Sequence, residues 1–357
     1  MSNKLSNVMI CITFLFFVSI LFPCVSYSQM EVRSSKAELY YKIGTTHFDK
    51  GDDDQAISYF NKSLEINPNY VEAYFSRGRV LSKKKEYDQA IFNYTKAIEL
   101  NPKYVDAYNN RGFIYSQKGQ YDRAFPDYNK ALEIDPKFIA AYMNRGMIYS
   151  IREQYDQAID EYNKVAEIDP RFAEAFYNRG AVYKKRGQYD RAIADYSKTL
   201  EIDSMHFMAY NNRGVIYGMK GDYVQAISDF NKAIAINPKY VDAYSNRGLI
   251  YGQKGQFTKA LSDFKKALEI DPKYIVAYIN RGNTYCEKRQ YDKALSDFNR
   301  VIEMNPKNGI GYFCRGVAYY LMEEYQKSLM DIKKAEKLGF QIPLEFLTFL
   351  EENGTDA

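Results

Sequence analysis

The chain has 357 residues, 26% of them charged, and a formal net charge of +4. Both signs are abundant, which excludes a polyelectrolyte, and no nucleic-acid partner is expected, because Glu72, Asp106, Glu174 and Asp242 stand among Arg79, Lys83, Lys184 and Lys185 where that binding wants a stripe of one sign. Four cysteines in a chain of this length exclude a disulfide framework, and tyrosine, at 35 residues, takes the aromatic share that tryptophan leaves empty.

The chain opens with Lys4 ahead of an apolar run from Val8 to Phe22, broken only by Thr13 and Ser19, with small residues at Ser26 and Ser28. This order predicts a signal peptide over 1–28, cleaved near Ser28–Gln29. An uncleaved membrane anchor is the competing reading, because the run approaches the lower end of a spanning length. Cys24 follows Pro23, where a lipid-attachment signal would want a small residue. The expectation is export to the periplasm or cell envelope, with membrane association through this segment as the alternative. Residues 29–36 are a short linker.

From Ala37 onward, glycine recurs every 34 residues, at Gly44, Gly78, Gly112, Gly146, Gly180, Gly214, Gly248, Gly282 and Gly316. A fixed period of this length predicts a stacked array of small units. The nine units run 37–70, 71–104, 105–138, 139–172, 173–206, 207–240, 241–274, 275–308 and 309–342. In the third, Ala107, Tyr108, Arg111, Gly112 and Tyr115 follow one helical pattern, Gly119 interrupts it, and Tyr121, Ala124, Phe125, Tyr128, Ala131 and Leu132 follow a second. Asp135-Pro136 ends the unit, because a residue before proline resists helical geometry. A glycine inside a helix costs about 1 kcal/mol relative to alanine, so Gly112 is expected to serve close approach, letting the second helix come near at Ala124.

Tyr108, Gly112, Tyr115, Gly119, Tyr121, Ala124, Tyr128, Ala131 and Pro136 together resemble the tetratricopeptide repeat (TPR) family, with Tyr108 where that family often has tryptophan. The resemblance covers 37–342. It implies an all-α, right-handed superhelical solenoid of nine helix-turn-helix hairpins, whose first helices line a concave groove that holds a peptide or a partner helix.

Two features depart from the family pattern. Arginine stands at 77, 111, 145, 179, 213, 247, 281 and 315, and an acid follows seven of these sixteen residues later, from Asp127 and Glu161 to Asp331. Charge and countercharge occur together, which predicts an ion pair inside each of the units three to nine, setting hairpin geometry. The second departure is a ladder of Asn110, Asn144, Asn178, Asn212, Asn246 and Asn280. By resemblance this position faces the groove. An amide donates and accepts as a peptide group does, so the ladder is a candidate grip on a ligand backbone; a remnant of duplication is the other reading. Beside it, Phe75, Phe113 and Tyr177, and further on Phe313 and Tyr320, are candidate apolar contacts.

Smaller features complete the chain. Pro126 within a second helix predicts a local bend. Ser204 replaces a linker proline, next to His206. Residues 343–357 are expected to form a capping helix and tail, with Leu344, Phe346, Leu347 and Leu350 on one side. His47 and His206 are the only histidines, and no phosphate loop, dinucleotide fingerprint or zinc spacing occurs. Cys286 and Cys314 are read as free or packed thiols. The chain is therefore expected to have no catalytic residues, no cofactor, no metal and no small-molecule substrate. Its expected role is a protein-protein interaction scaffold for extended peptide segments or partner proteins. A self-assembling structural protein and an adaptor subunit of an envelope assembly or export machine are the alternatives.

Overall fold

Every period folds as a helical hairpin because two apolar stripes are separated by a turn that demands a left-handed residue. The fifteenth residue of each period takes positive φ, between 56° and 83°, as glycine in five hairpins and as Lys85, Glu153, Arg289 and Glu323 in the others. A side chain costs about 1–2 kcal/mol in that conformation, so those four turns are held by the helices on either side. The computed structural model describes residues 33–354, and these contain helices and no strand. The expected signal peptide, its cleavage point and residues 29–32 lie outside them. No helix of the described residues is long and apolar enough to cross a membrane.

The helices fall into two units divided after Pro170. The first holds α1 (33–50), α2 (Asp53–Ile66), α3 (Val71–Lys83), α4 (Tyr87–Leu100), α5 (Val105–Gln117), α6 (Tyr121–Ile134), α7 (Ile139–Ile151) and α8 (Tyr155–Ile168). The second holds α9 (Ala173–Lys185), α10 (Tyr189–Ile202), α11 (Phe207–Met219), α12 (Tyr223–Ile236), α13 (Val241–Gln253) and α14 (Phe257–Ile270). It continues with α15 (Ile275–Glu287), α16 (Tyr291–Met304), α17 (Gly309–Leu321), α18 (Tyr325–Lys337) and α19 (Leu344–Gly354). Helix α1 is already formed at residue 33, because nothing between 33 and 36 stops a helix, so the end of the expected linker is helical.

Within each unit an odd-numbered helix packs on the even-numbered one that follows, and the even one on the next hairpin's leading helix. Successive leading helices also touch, α3 with α5 and α5 with α7 in the first unit, and α9 through α17 in the second. The leading helices of a unit thus share one face. Between hairpins an Asn or Asp side chain closes the linker, as Asp135 does by accepting from the Lys137 N–H at 2.9 Å. Asp203 makes the same bond to Met205, so the linker with Ser204 keeps the common turn without its proline. Helix α6 runs on through Pro126 over the same fourteen residues as its counterparts.

The repeated glycine serves close approach, but to a different partner from the one expected. A Cβ on Gly112 would meet the Tyr128 ring at 2.9 Å, and in every hairpin the nearest atom belongs to the side chain sixteen residues on. The ring outreaches the Ala124 methyl and lies against the glycine. Gly282→Ala would place its Cβ 2.5 Å from Phe298, which is fully buried and has nowhere to go. The overpacking cost of about 1–3 kcal/mol outweighs the helix-propensity gain of about 1 kcal/mol. Gly252→Ala meets nothing within 4 Å and is expected to stabilise by about 0.5–1 kcal/mol. Urea denaturation of the two variants therefore should shift in opposite directions; a shared direction would refute this account of the repeated glycine.

At the C-terminus α19 packs on α18 as the expected cap, with Leu350 fully buried. Leu344 does not join it: at 76% exposure it faces solvent, because it is the first residue of the helix and precedes the turn that reaches α18.

Candidate partner-binding face

The frame of this face is set by arginine. In hairpins three to nine its Nε and Nη2 donate to both oxygens of the acid sixteen residues on, with Nη2–O distances of 2.6–2.8 Å. All seven expected ion pairs are therefore present. The guanidinium groups are about a fifth exposed and the acids a tenth or less. Hydrogen bonds to the acid hold Arg179, Arg213, Arg247, Arg281 and Arg315 above their ordinary values, against the pull of burial. Arg77 has only the neutral Asn93 amide at this place, and burial pulls it below.

The remaining guanidinium nitrogen does something the sequence pattern alone did not show. Nη1 donates backward to the second helix of the preceding hairpin: Arg77 to Asn61, Arg111 to Thr95, Arg145 to Asn129, Arg213 to Ser197, Arg247 to Asn231 and Arg315 to Asn299, at 2.6–3.0 Å. One planar fork thus closes its own hairpin and ties it to the one before.

The asparagine ladder occupies the sixth residue of each leading helix, and all six side chains are half-buried. Several reach back to the fifth residue of the previous leading helix. Asn144 Nδ2 donates to Asn109 Oδ1 at 3.0 Å, Asn246 Nδ2 to Asn211 Oδ1 at 3.0 Å, and Asn212 Nδ2 to the Tyr177 hydroxyl at 3.0 Å. Asn110 Oδ1 accepts from Asn109. An amide has two N–H donors and two acceptor lone pairs, so one such bond leaves most of its capacity unspent. Asn109 and Asn211 are buried beneath the ladder.

The other candidates separate by place. Phe113 is exposed on the shared face. Phe75 and Tyr177 are half-buried, Phe75 against Tyr94 and Tyr104, and Tyr177 against Tyr196 and His206. Phe313 stacks on Phe340 at 4.4 Å, and Tyr320 lies edge-on to Phe346 and Phe349 of α19. These last two belong to the packing of the C-terminal end. His206 caps α11, its Nδ1 accepting from the Ala209 N–H at 3.1 Å. Cys286 and Cys314 are free thiols packed with Phe298, and burial pushes them up to about 11 and about 12.

Two cavities open on this face in the second unit. One, of about 460 Å³, lies beside Gly252 and Asn280 over the Phe264 ring. The other, of about 130 Å³, lies beside Gly218 and Asn246 over Phe230. In both, the twelfth residue of one leading helix faces the ladder amide of the next. Lys184 holds the corresponding place one hairpin earlier and donates to Asn212 Oδ1 at 3.3 Å. Burial lowers the Lys184 ammonium, and no carboxylate pairs with it among the described residues. The sequence carried this signal at the same 34-residue spacing, but on small residues that an apolar pattern does not mark.

The comparisons agree with this architecture. A family model described as tetratricopeptide repeat matches residues 37–70, 105–138, 173–206, 207–240, 241–274 and 275–308. A second, described as TPR repeat, matches 78–119 and 146–187. Among solved structures, a tetratricopeptide repeat protein from Parabacteroides merdae aligns at 22% identity and TM-score 0.55, over 70% of this chain and 98% of its own. Cut9-Hcn1 of the APC/C aligns at 14% identity and TM-score 0.57, over 90% and 76%. Pseudomonas aeruginosa pilF aligns at 21% and 0.52, over 60% and 97%. At these identities they show the fold alone. No curated protein matches the chain. With the hairpins, the glycine contact and the matched stretches in place, the chain belongs to the tetratricopeptide repeat family.

Proposed function

We propose that the shared face of the leading helices binds extended segments of a partner protein, and that the protein does this in the bacterial cell envelope without catalysis of its own. The coarser role, a protein-protein interaction scaffold, follows from the repeats themselves. One observation carries the finer reading. Large apolar side chains stand exposed at recurring places on leading helices, as Phe113, Met147 and Ile151 in the first unit and Met208, Leu249 and Ile310 in the second. Exposed apolar rows beside half-spent amides mark an interaction surface.

A photocrosslinking residue at Met147 or Leu249 is expected to capture a partner in intact cells, while one at Val224, exposed on a second helix, is not. Alanine at Asn144, Asn178 and Asn212 together should weaken that capture and leave helicity intact. Equal capture at Val224 would remove the proposal. N-terminal sequencing of the protein recovered from the periplasmic fraction is expected to begin at Gln29.

A further inference from the structure

We infer that the second unit binds one extended peptide segment through three successive subsites: Lys184 for a carboxylate, and the cavities beside Gly218 and Gly252 for two apolar side chains. This rests on the reading of the leading-helix face as a binding surface and adds what that surface selects.

The subsites arise from two substitutions that occur together along the chain. In the second hairpin, the Tyr94 hydroxyl on the second helix bonds both to Ser82, at the twelfth place, and to the ladder residue Asn110. In the sixth and seventh hairpins, serine becomes Gly218 and Gly252 while tyrosine becomes Phe230 and Phe264. Both polar atoms are gone, and the ladder amides Asn246 and Asn280 wall two spaces with a phenylalanine floor. In the eighth hairpin, Cys286 and the ladder-place Cys314 pack with Phe298, closing the row.

The two cavities adjoin, sharing Leu249 and Gln253. Their volumes of about 130 and 460 Å³ suit a small aliphatic and a large or aromatic side chain, respectively. Leading helices in contact stand about 8–10 Å apart. A polyproline II segment presents the same face every three residues, about 9 Å along its axis, so the two apolar residues stand three apart. Backbone groups between them meet the ladder amides.

Charge fixes the direction. Lys184 lacks an acid before the smaller cavity, and Glu287, exposed at the rim of the larger, has no ion-pair partner among the described residues. The occupant is therefore a segment of a partner protein in which an acidic residue, a small apolar, a large apolar and a basic residue follow at three-residue intervals.

The test uses the full chain and a fluorescently tagged, amidated peptide, Asp-Pro-Ser-Val-Pro-Ser-Phe-Pro-Ser-Lys, read by anisotropy. The wild-type protein binds it saturably. Gly252→Leu, whose side chain enters open space on a helix and so leaves folding intact, weakens binding about 10-fold or more. Exchanging Val and Phe in the peptide weakens it similarly. Lys184→Gln weakens it about 5-fold and removes most of the salt dependence. Unchanged affinity in Gly252→Leu, or no binding by the wild type, overturns the subsites. If binding survives Gly252→Leu but is lost on alanine replacement of the ladder, the binding face stands and the subsites fall. Absence of peptide binding leaves the face to be judged by its own crosslinking result.

Discussion

Asp229→Ala is expected to destabilise the second unit by about 3 kcal/mol, the cost of stripping a partly buried cation of its partner. Arg213 Nε and Nη2 both lie 2.8 Å from Asp229, and Nη1 lies 2.9 Å from Ser197 in the previous hairpin. Removing the acid leaves the guanidinium about a fifth exposed, with one neutral acceptor. Asp229→Asn should cost less, about 1–2 kcal/mol, because the chain already tolerates that arrangement at Arg77 and Asn93. Arg213→Met with Asp229→Leu should recover most of the loss, since a matched apolar pair replaces a matched ionic one. The measurement is urea denaturation across this double-mutant cycle. A loss below about 0.5 kcal/mol for Asp229→Ala, the size of an ordinary surface change, would mean that the pairs do not set hairpin geometry.

The second large effect is at high pH and draws on tyrosines raised by burial in both units, Tyr70 and Tyr104 in the first and Tyr177, Tyr196, Tyr240 and Tyr274 in the second among them; the row beneath the repeated glycine lies mostly in the first unit. Tyr94, Tyr128 and Tyr162 there are buried to within 2% of full exclusion, and burial raises each hydroxyl, Tyr94 to about 12. In the second unit the same place holds Tyr196 and then Phe230, Phe264 and Phe298. A phenol unfolds to an ordinary value near 10. Above that pH the unfolded chain gives up the proton while the folded chain keeps it. The unfolded state then binds fewer protons, so stability is whole below about pH 10 and falls as pH rises toward the folded value. Each tyrosine contributes a slope of about 1.4 kcal/mol per pH unit, and three contribute about 4. Circular dichroism between pH 8 and 12.5 is expected to show helix loss that Tyr94, Tyr128 and Tyr162→Phe together move to higher pH. At neutral pH Tyr128→Phe alone should stabilise by about 1 kcal/mol, because its buried hydroxyl has no hydrogen-bond partner among the described residues. An alkaline transition unmoved by the triple replacement would contradict this.

What could be read from the sequence divides along a physical line. Contacts inside a hairpin are fixed by helical period and turn length, so an offset of sixteen residues carried the arginine-acid pairs from the third hairpin to the ninth. The same offset holds the glycine's true neighbour: Ala124 satisfies the small-residue spacing, but the longer Tyr128 ring reaches the glycine first. Contacts between hairpins depend on how one hairpin leans on the next, and the period is silent on that angle. The backward bond from Arg111 to Thr95, the reach of Asn144 to Asn109, and the meeting of Gly252 with Asn280 all belong to this class. The ladder was legible as a row on one face, not as a row partly spent on holding its neighbours. Leu344 was misplaced because a helical wheel assigns sides without saying where the packed turn begins.

The arginine fork also constrains how such a gene can change length. In the complete form, as at Arg111, the guanidinium takes its acid from sixteen residues ahead and its third acceptor from sixteen residues behind. Recombination that removes or adds a whole 34-residue module, cut at any point, restores both distances at the junction, and both chemistries wherever the joined modules carry the acid and the acceptor. A cut out of phase strands a cation between two helices with nothing to receive its protons. Within either unit, growth and shrinkage by entire modules is therefore close to neutral, while a slip of one or two codons is not.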